Sequence, residues 1–131
     1  MSNSSTLELA RRFVRALNEK DEATIRQIYA PDARIWHNFD DKYQTLDENM
    51  RGMYWIHKRM SSINYDVVSL VELPDGYIQE HVLRGKLPSG ADFAMPACVI
   101  CKVKDGRVTS LREYLDLTPT KALTEQRATA N

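Results

Sequence analysis

The sequence has no excess of charge of either sign. Its 131 residues include 18 Lys and Arg and 18 Asp and Glu, so the formal net charge is zero. A protein that holds nucleic acid or an anionic membrane mainly by electrostatic attraction needs a basic excess. We therefore expect neither nucleic acid nor a membrane as a partner.

Long hydrophobic runs are also missing, so no stretch of the sequence predicts a helix that spans a membrane. The polar amino terminus lacks the apolar core of a signal peptide. We expect a cytoplasmic protein of one domain, because a chain of this length can bury a core without disulfides or metal. The domain occupies residues 1–131, with its core at about 6–118 and a loosely ordered tail at 119–131.

Cysteine and glycine are scarce. Cys98 and Cys101 form a Cys-x-x-Cys spacing, which can indicate redox chemistry or half of a zinc site. They lie in an apolar run that predicts a buried strand, where residues three apart face opposite sides. The histidines lack metal-ligand spacing, and no glycine-rich phosphate loop occurs. We therefore expect structural cysteines, no metal site and no cofactor.

The hydrophobic pattern predicts three helices and a sheet. Capping boxes at Ser5–Glu8 and Thr45–Glu48 predict the starts of two helices. The helix that begins at Thr45 is expected to extend to about Ser62. A shorter helix begins after Asp21 and ends at Pro31. Strand patterns follow at 33–39, 65–73, 77–86, 92–103 and 107–117. The order α-α-β-α-β-β-β-β is typical of an α+β domain. A strongly curved, mainly antiparallel sheet would then enclose a pocket.

Three polar residues on predicted strands are candidates for acid–base chemistry. His37 shares a strand face with Ile35, His81 lies on a later strand, and Asp116 lies on the last one. An imidazole can take or give a proton near neutral pH, and a carboxylate within hydrogen-bond reach supports its charged form. The alternative is that both histidines are core residues held by one partner each, and that Asp116 pairs with Arg112 on the surface.

Two segments carry a family resemblance when they are combined with this element order. They are Ile28–Ala33, ahead of the first strand, and Asp105–Asp116, which covers the last turn and most of the last strand. Over about residues 6–118 the chain resembles the nuclear transport factor 2-like superfamily, and within it the SnoaL-like branch of polyketide cyclase-like and ketosteroid isomerase-like proteins. The resemblance implies a cone-shaped α+β barrel around a deep pocket. It also implies a homodimer that uses the outer face of the sheet.

The resemblance to ketosteroid isomerases does not extend to their catalytic residues. His37 stands where those enzymes carry the aspartate that acts as base. Their two oxyanion donors correspond to Phe13 and Val99, which cannot donate a hydrogen bond from the side chain. The usual stabiliser of a dienolate is therefore missing from these positions.

The resemblance to limonene epoxide hydrolases is partial as well. The turn Leu87–Gly90 and Asp116 match their pattern, but His81 and Leu83 stand where those enzymes have an arginine and an aspartate. SnoaL-like cyclases and related dehydratases use histidine and aspartate as proton carriers in the same pocket. This chain is similar to them in residue type.

The expected function is that of a cofactor-independent lyase, isomerase or cyclase acting on an oxygenated hydrophobic small molecule. His37, His81 and Asp116 are the expected catalytic residues. The expected ligand-binding residues lie on three of the predicted strands and on the third helix, and they are Ile35, Tyr54, Phe93, Met95, Arg112 and Tyr114. One alternative is a non-catalytic module for ligand binding or protein interaction with the same fold. Another is activation of water, as in an epoxide hydrolase.

Overall fold

Three helices, six strands and one 3-10 helix form the part of the chain that the computed structural model describes, residues 4–124. In chain order they are α1 (Ser5–Asn18), α2 (Glu22–Ile28), β1 (Tyr29–His37), β2 (Lys42–Gln44), α3 (Leu46–His57), β3 (Ser61–Leu73), β4 (Gly76–Lys86), β5 (Asp92–Lys104), β6 (Arg107–Leu115) and the 3-10 helix Thr118–Thr120. Within these residues no helix has both the length and the hydropathy to cross a membrane.

The strands form one sheet in the order β2-β1-β6-β5-β4-β3. All neighbours are antiparallel except β1 and β6, which run parallel. Irregular registers interrupt the β1–β6, β3–β4 and β5–β6 pairs, and such bulges bend a sheet. The curved sheet packs its concave face against the helices, so the predicted cone-shaped α+β fold is confirmed.

The helix starts follow from capping. Thr45 Oγ1 accepts a hydrogen bond from Glu48 N at 3.2 Å, and Glu48 Oε1 accepts one from Thr45 N at 3.0 Å. This reciprocal pair is the capping box predicted for α3. In α1 the cap is Ser4, one residue before the predicted Ser5, and its Oγ accepts from Leu7 N at 3.0 Å.

Some element bounds differ from the prediction. Strand β2 occupies Lys42–Gln44, part of which the sequence placed in a charged loop, because pairing with β1 overrides the local composition. Helix α3 ends at His57 rather than near Ser62, and the chain continues as an extended strand from Ser61. Cys98 is partly buried, Cys101 is buried, and the two do not form a disulfide.

The core consists of two clusters of buried side chains. The larger one joins α1 and α2 to β1, β4, β5 and β6 through residues such as Phe13, Ile25 and Ile28. The smaller one includes Leu123, which is only 2% exposed. Part of the segment that was expected to be a loose tail is therefore packed against the core, as far as Leu123. Residues 125–131 of that tail lie outside the described part of the chain.

Glycine is required at position 76, at the start of β4, because the backbone of β5 passes close to its Cα. A Cβ at this position would overlap the backbone carbonyl of Cys101 on β5, and a backbone carbonyl cannot rotate away as a flexible side chain can. We expect Gly76→Ala to lower the free energy of unfolding by about 2–3 kcal/mol, measured by urea denaturation. In the matched control Gly52→Ala, on helix α3, the new Cβ meets no atom within 4 Å. That variant should gain about 0.5–1 kcal/mol. Equal stability of the two variants would contradict the steric argument.

Candidate functional site

The concave face of the sheet and helices α1 and α3 enclose a cavity of about 200 Å³. This is below the range of about 300–1,000 Å³ that is usual for sites of drug-sized ligands. Most of its lining is apolar and comes from the helices and from the inward faces of β4, β5 and β6, including Phe13, Leu17, Met53, Ile56, Leu83, Met95, Val99, Leu111 and Leu115. The cavity therefore suits a compact, largely apolar molecule.

All three histidines of the sequence line this cavity. His37 is 7% exposed, and His57 and His81 are each 4% exposed. They come from β1, the end of α3 and β4, so the fold brings them together from distant parts of the chain. A buried imidazole requires a hydrogen-bond partner, and each of the three has a different one.

His37 is paired with Glu113. Its Nε2 lies 3.1 Å from Glu113 Oε1, and the two residues are register partners on the parallel strands β1 and β6. An ionised carboxylate only accepts, so Nε2–H donates. Nδ1 of His37 is buried and has no partner within the described residues. Glu113 is the one carboxylate that lines the cavity within residues 4–124.

His81 is held by Gln79, two residues earlier on β4. The amide Nε2 of Gln79 lies 3.0 Å from Nδ1 of His81. An amide nitrogen only donates, so Nδ1 accepts and the proton of the neutral ring lies on Nε2. Burial lowers the pKa of His81, and the charge of Glu113 opposes this effect. His81 therefore presents an N–H donor of a neutral imidazole.

His57 and Tyr65 form a third polar pair. His57 Nε2 lies 2.7 Å from the Tyr65 hydroxyl. Burial and, to a smaller extent, the nearby charge of Lys20 lower the pKa of His57 to about 4. Burial, with a contribution from Glu113, raises the pKa of Tyr65. Both groups are consequently neutral near pH 7. The Tyr65 ring also contacts His81, with 5.4 Å between ring centroids, which joins two of the polar pairs.

Two of the three predicted catalytic residues lie in the cavity, namely His37 and His81. Asp116 does not. Its carboxylate is exposed and accepts from Thr118 N at 2.9 Å and from Thr118 Oγ1 at 2.6 Å, and these bonds lower its pKa. The expectation that Asp116 faces the histidines is therefore wrong in geometry, and Glu113 stands in its place.

Only Met95 of the six predicted ligand-binding residues lines the cavity. Ile35 and Phe93 are buried in the packed core clusters instead. Tyr54 points outward from α3 and is 62% exposed. Arg112 and Tyr114 lie on the convex face of the sheet, because neighbouring residues on a strand point to opposite sides.

Arg112 and its neighbours form a stack on that convex face. The guanidinium carbon lies 4.0 Å from the centroid of the Trp36 ring. Its Nη1 and Nη2 donate to the hydroxyls of Tyr43 at 3.0 Å and Tyr114 at 3.3 Å. Trp36 Nε1 in turn donates to Asp41 Oδ1 at 2.8 Å. These groups stabilise the outside of β1, β2 and β6 and do not reach the cavity.

The sequence reasoning missed Glu113, Tyr65, Gln79 and His57 as polar residues of the site. A signal for Glu113 was present, because it is the one charge among Leu111, Leu115 and Leu117, which share its strand face and also line the cavity. An isolated acid on an apolar strand face needs an explanation, whereas the polar face of Arg112 and Asp116 is what solvent exposure predicts. Within residues 4–124 no group of histidine, cysteine and acidic side chains is arranged to hold a metal ion.

Solved structures of other proteins share this fold. A candidate polyketide cyclase from Streptomyces antibioticus, IdmH, is 19% identical, with a TM-score of 0.79 over 90% of this chain and 96% of its own. A candidate hydroxylase from Streptomyces galilaeus, AclR, is 16% identical, with a TM-score of 0.80 over 90% of this chain and 80% of its own. A candidate SnoaL-like polyketide cyclase from Shewanella denitrificans is 16% identical, with a TM-score of 0.74 over 95% of this chain and 99% of its own.

At these identities the structural likeness concerns the fold alone. No functionally curated protein matches the sequence. The family model of the SnoaL-like domain matches residues 10–111, a range that begins within α1 and ends within β6. The chain therefore belongs to the SnoaL-like domain family.

Proposed function

We propose that this protein is a cofactor-independent acid–base enzyme of the isomerase, cyclase or lyase type. Its substrate is a small, largely apolar molecule that carries a carbonyl group. The observation that supports this proposal is the pairing of one carboxylate, Glu113, with one imidazole, His37, inside a cavity whose lining is mostly apolar. A partly buried carboxylate that a substrate can reach is a typical general base.

Glu113 is the proposed base. Its side chain is 22% exposed, and within the described residues its second oxygen, Oε2, makes no hydrogen bond. This oxygen takes a proton from the carbon next to the substrate carbonyl. The electron pair of that C–H bond forms a carbon–carbon double bond, and the π electrons of the carbonyl move onto its oxygen, which gives an enolate. His37 positions the carboxylate by donating from Nε2. If the proton returns to another carbon of the substrate, the reaction is an isomerisation. If the enolate carbon attacks a second carbonyl of the same molecule, the reaction is a cyclisation.

The enolate oxygen needs hydrogen-bond donors. His81 Nε2–H is one proposed donor, because Gln79 occupies the other ring nitrogen. The hydroxyl of Tyr65 becomes a second donor when His57 donates to the tyrosine oxygen. Phe13 and Val99, where ketosteroid isomerases carry donors, also line the cavity and are apolar. The proposed donors therefore come from β3 and β4 instead.

A non-catalytic ligand-binding module of the same fold is the second candidate. The apolar cavity would favour binding of a small molecule even if Glu113 removed no proton. The two functions separate experimentally, because binding and proton transfer can be measured on the same ligand.

We also infer that the protein forms a homodimer through the convex face of the sheet. Val71, Ile78 and Ile100 are register partners across β3, β4 and β5, and they form an apolar row on this face. A lysine in this row would place a charge in the proposed interface. Sedimentation analysis should therefore show a dimer for the native chain and a monomer for Ile100→Lys. A native monomer would refute this interface.

Glu113→Gln should abolish most of the proposed proton transfer. We expect the enzyme to catalyse hydrogen–deuterium exchange next to the carbonyl of 2-tetralone in D2O, measured by proton NMR. Glutamine keeps the size of the side chain and an oxygen that accepts from His37, but it is not a base. The rate should fall by about 10²–10⁴-fold, while the dissociation constant of the ketone changes little.

Asp116→Asn is the matched control, since it makes the same chemical change on an exposed residue of the adjoining segment. Its exchange rate should equal that of the native protein. An unchanged rate in Glu113→Gln, or an equal loss in both variants, would remove Glu113 from the proposed role. Binding of 2-tetralone without any exchange in the native protein would favour the non-catalytic module.

Burial keeps His57 and His81 neutral in the folded protein, and this predicts that acid destabilises the fold. His57 has a pKa of about 4 in the folded protein, against about 6.5 in an unfolded chain. Its contribution to stability is therefore complete above about pH 6.5 and decreases as the pH falls toward about 4. From pH 7 to pH 5 the free energy of unfolding should fall by about 2 kcal/mol through His57 alone.

Urea denaturation of the native protein and of His57→Gln at the two pH values tests this prediction. Glutamine does not titrate, so the variant should lose less stability between pH 7 and pH 5. The lowered pKa of His81 acts in the same direction and explains a remaining loss in the variant. Equal losses in both proteins would show that His57 is not held neutral.

A further inference from the structure

Gly52 lies in the interior of α3 and lines the cavity. Glycine is among the poorest helix formers, because its backbone loses the most conformational freedom on folding. Two ordinary reasons for a helix glycine do not apply here. Its φ is not positive, and a Cβ added to it would meet no atom within 4 Å. Neither backbone conformation nor close packing therefore requires glycine at this position.

The remaining physical property of Gly52 is the empty space beside it. Gly52 is exposed, and so is Phe39, which also lines the cavity. Lining residues that reach solvent mark the place where a cavity opens. The side chains of Gln44, Asn49 and Met53, which are partly exposed, belong to the same rim. A side chain at position 52 would project into this opening.

The rim is formed by uncharged side chains. Asn49 Nδ2 donates to Gln44 Oε1 at 3.3 Å, and this hydrogen bond joins the two amides across the β2–α3 junction. Within residues 4–124 no lysine or arginine lines the cavity, and its one carboxylate is Glu113, which is paired with His37. Nothing at the rim offers a counter-charge to an anionic ligand. Shape rather than charge is therefore the property by which the rim can select.

We propose that Gly52 is the specificity-determining residue of the cavity, because the bare helix surface at this position sets the size of the uncharged molecule that can enter. The inference rests on the proposed role of the cavity as a ligand site, and it adds the residue that limits the ligand. A larger side chain at position 52 narrows the rim without touching the polar pairs inside. Ligands that pass the narrowed rim should then bind as before, and wider ones should not.

Two neutral ketones of different width test the proposal, namely 1-indanone and the wider 6-dimethylamino-2-acetylnaphthalene. Their dissociation constants are measured by isothermal titration calorimetry for the native protein, Gly52→Ala and Gly52→Leu. Gly52→Leu should bind the wider ketone at least about tenfold more weakly and change the constant for 1-indanone less than about threefold. Gly52→Ala should lie between the native protein and Gly52→Leu. Urea denaturation shows that both variants are folded.

Arg51→Leu is the matched control, since it adds an apolar side chain to the neighbouring exposed position, which does not line the cavity. It should keep both native dissociation constants. The proposal is overturned if Gly52→Leu binds both ketones as the native protein does, if it weakens both equally, or if Arg51→Leu has the same effect. Selective loss of the wider ketone without any exchange of protons in the native protein would refute the catalytic function and support the role of Gly52.

Discussion

The parallel pairing of β1 with β6 is the constraint on which the rest of the structure depends. Every other neighbouring pair of strands in the described sheet is antiparallel. This one pair places the first strand beside the last and sets His37 opposite Glu113. Without it the sheet would lose β1 and β2 at its edge, and the cavity would open on that side. The fold and the proposed site are therefore consequences of the same long-range contact.

The polar groups of the cavity are arranged so that few charges are buried. Glu113 is the one acidic side chain of the described lining, while burial keeps His57 and His81 neutral by lowering their pKa values. Each imidazole is satisfied by a partner of different chemistry: a carboxylate, an amide or a phenol. Acid–base chemistry needs such an asymmetric set, because one group must accept a proton while others remain donors. A binding site without chemistry would not require this asymmetry.

Much of the architecture could be predicted, because capping boxes and strand alternation are local signals. The inward faces of β4 and β5 were recognised correctly for this reason, and with them His81 and Met95. The partner of His37 could not be recognised in the same way, since a local pattern does not specify which distant strand lies beside β1. For the last predicted strand, the sequence reasoning chose the face with more polar residues, which includes Asp116. It passed over the apolar face on which Glu113 is the one acid. Strand β2 has too few residues to show the alternation of polar and apolar side chains by which a strand is recognised.

The stack of Arg112 on Trp36 has a consequence for the cavity that it does not touch. Trp36 and Arg112 are register partners on β1 and β6, one residue before His37 and Glu113, which are also register partners. The same two strands are therefore joined at adjacent positions by two side-chain contacts. One is a cation–π contact on the convex face, and the other is a hydrogen bond on the concave face. Separation of the strands on the outer surface would lengthen the inner bond. The contacts on the convex face of the sheet thus help to fix the geometry of the polar pair on its concave face.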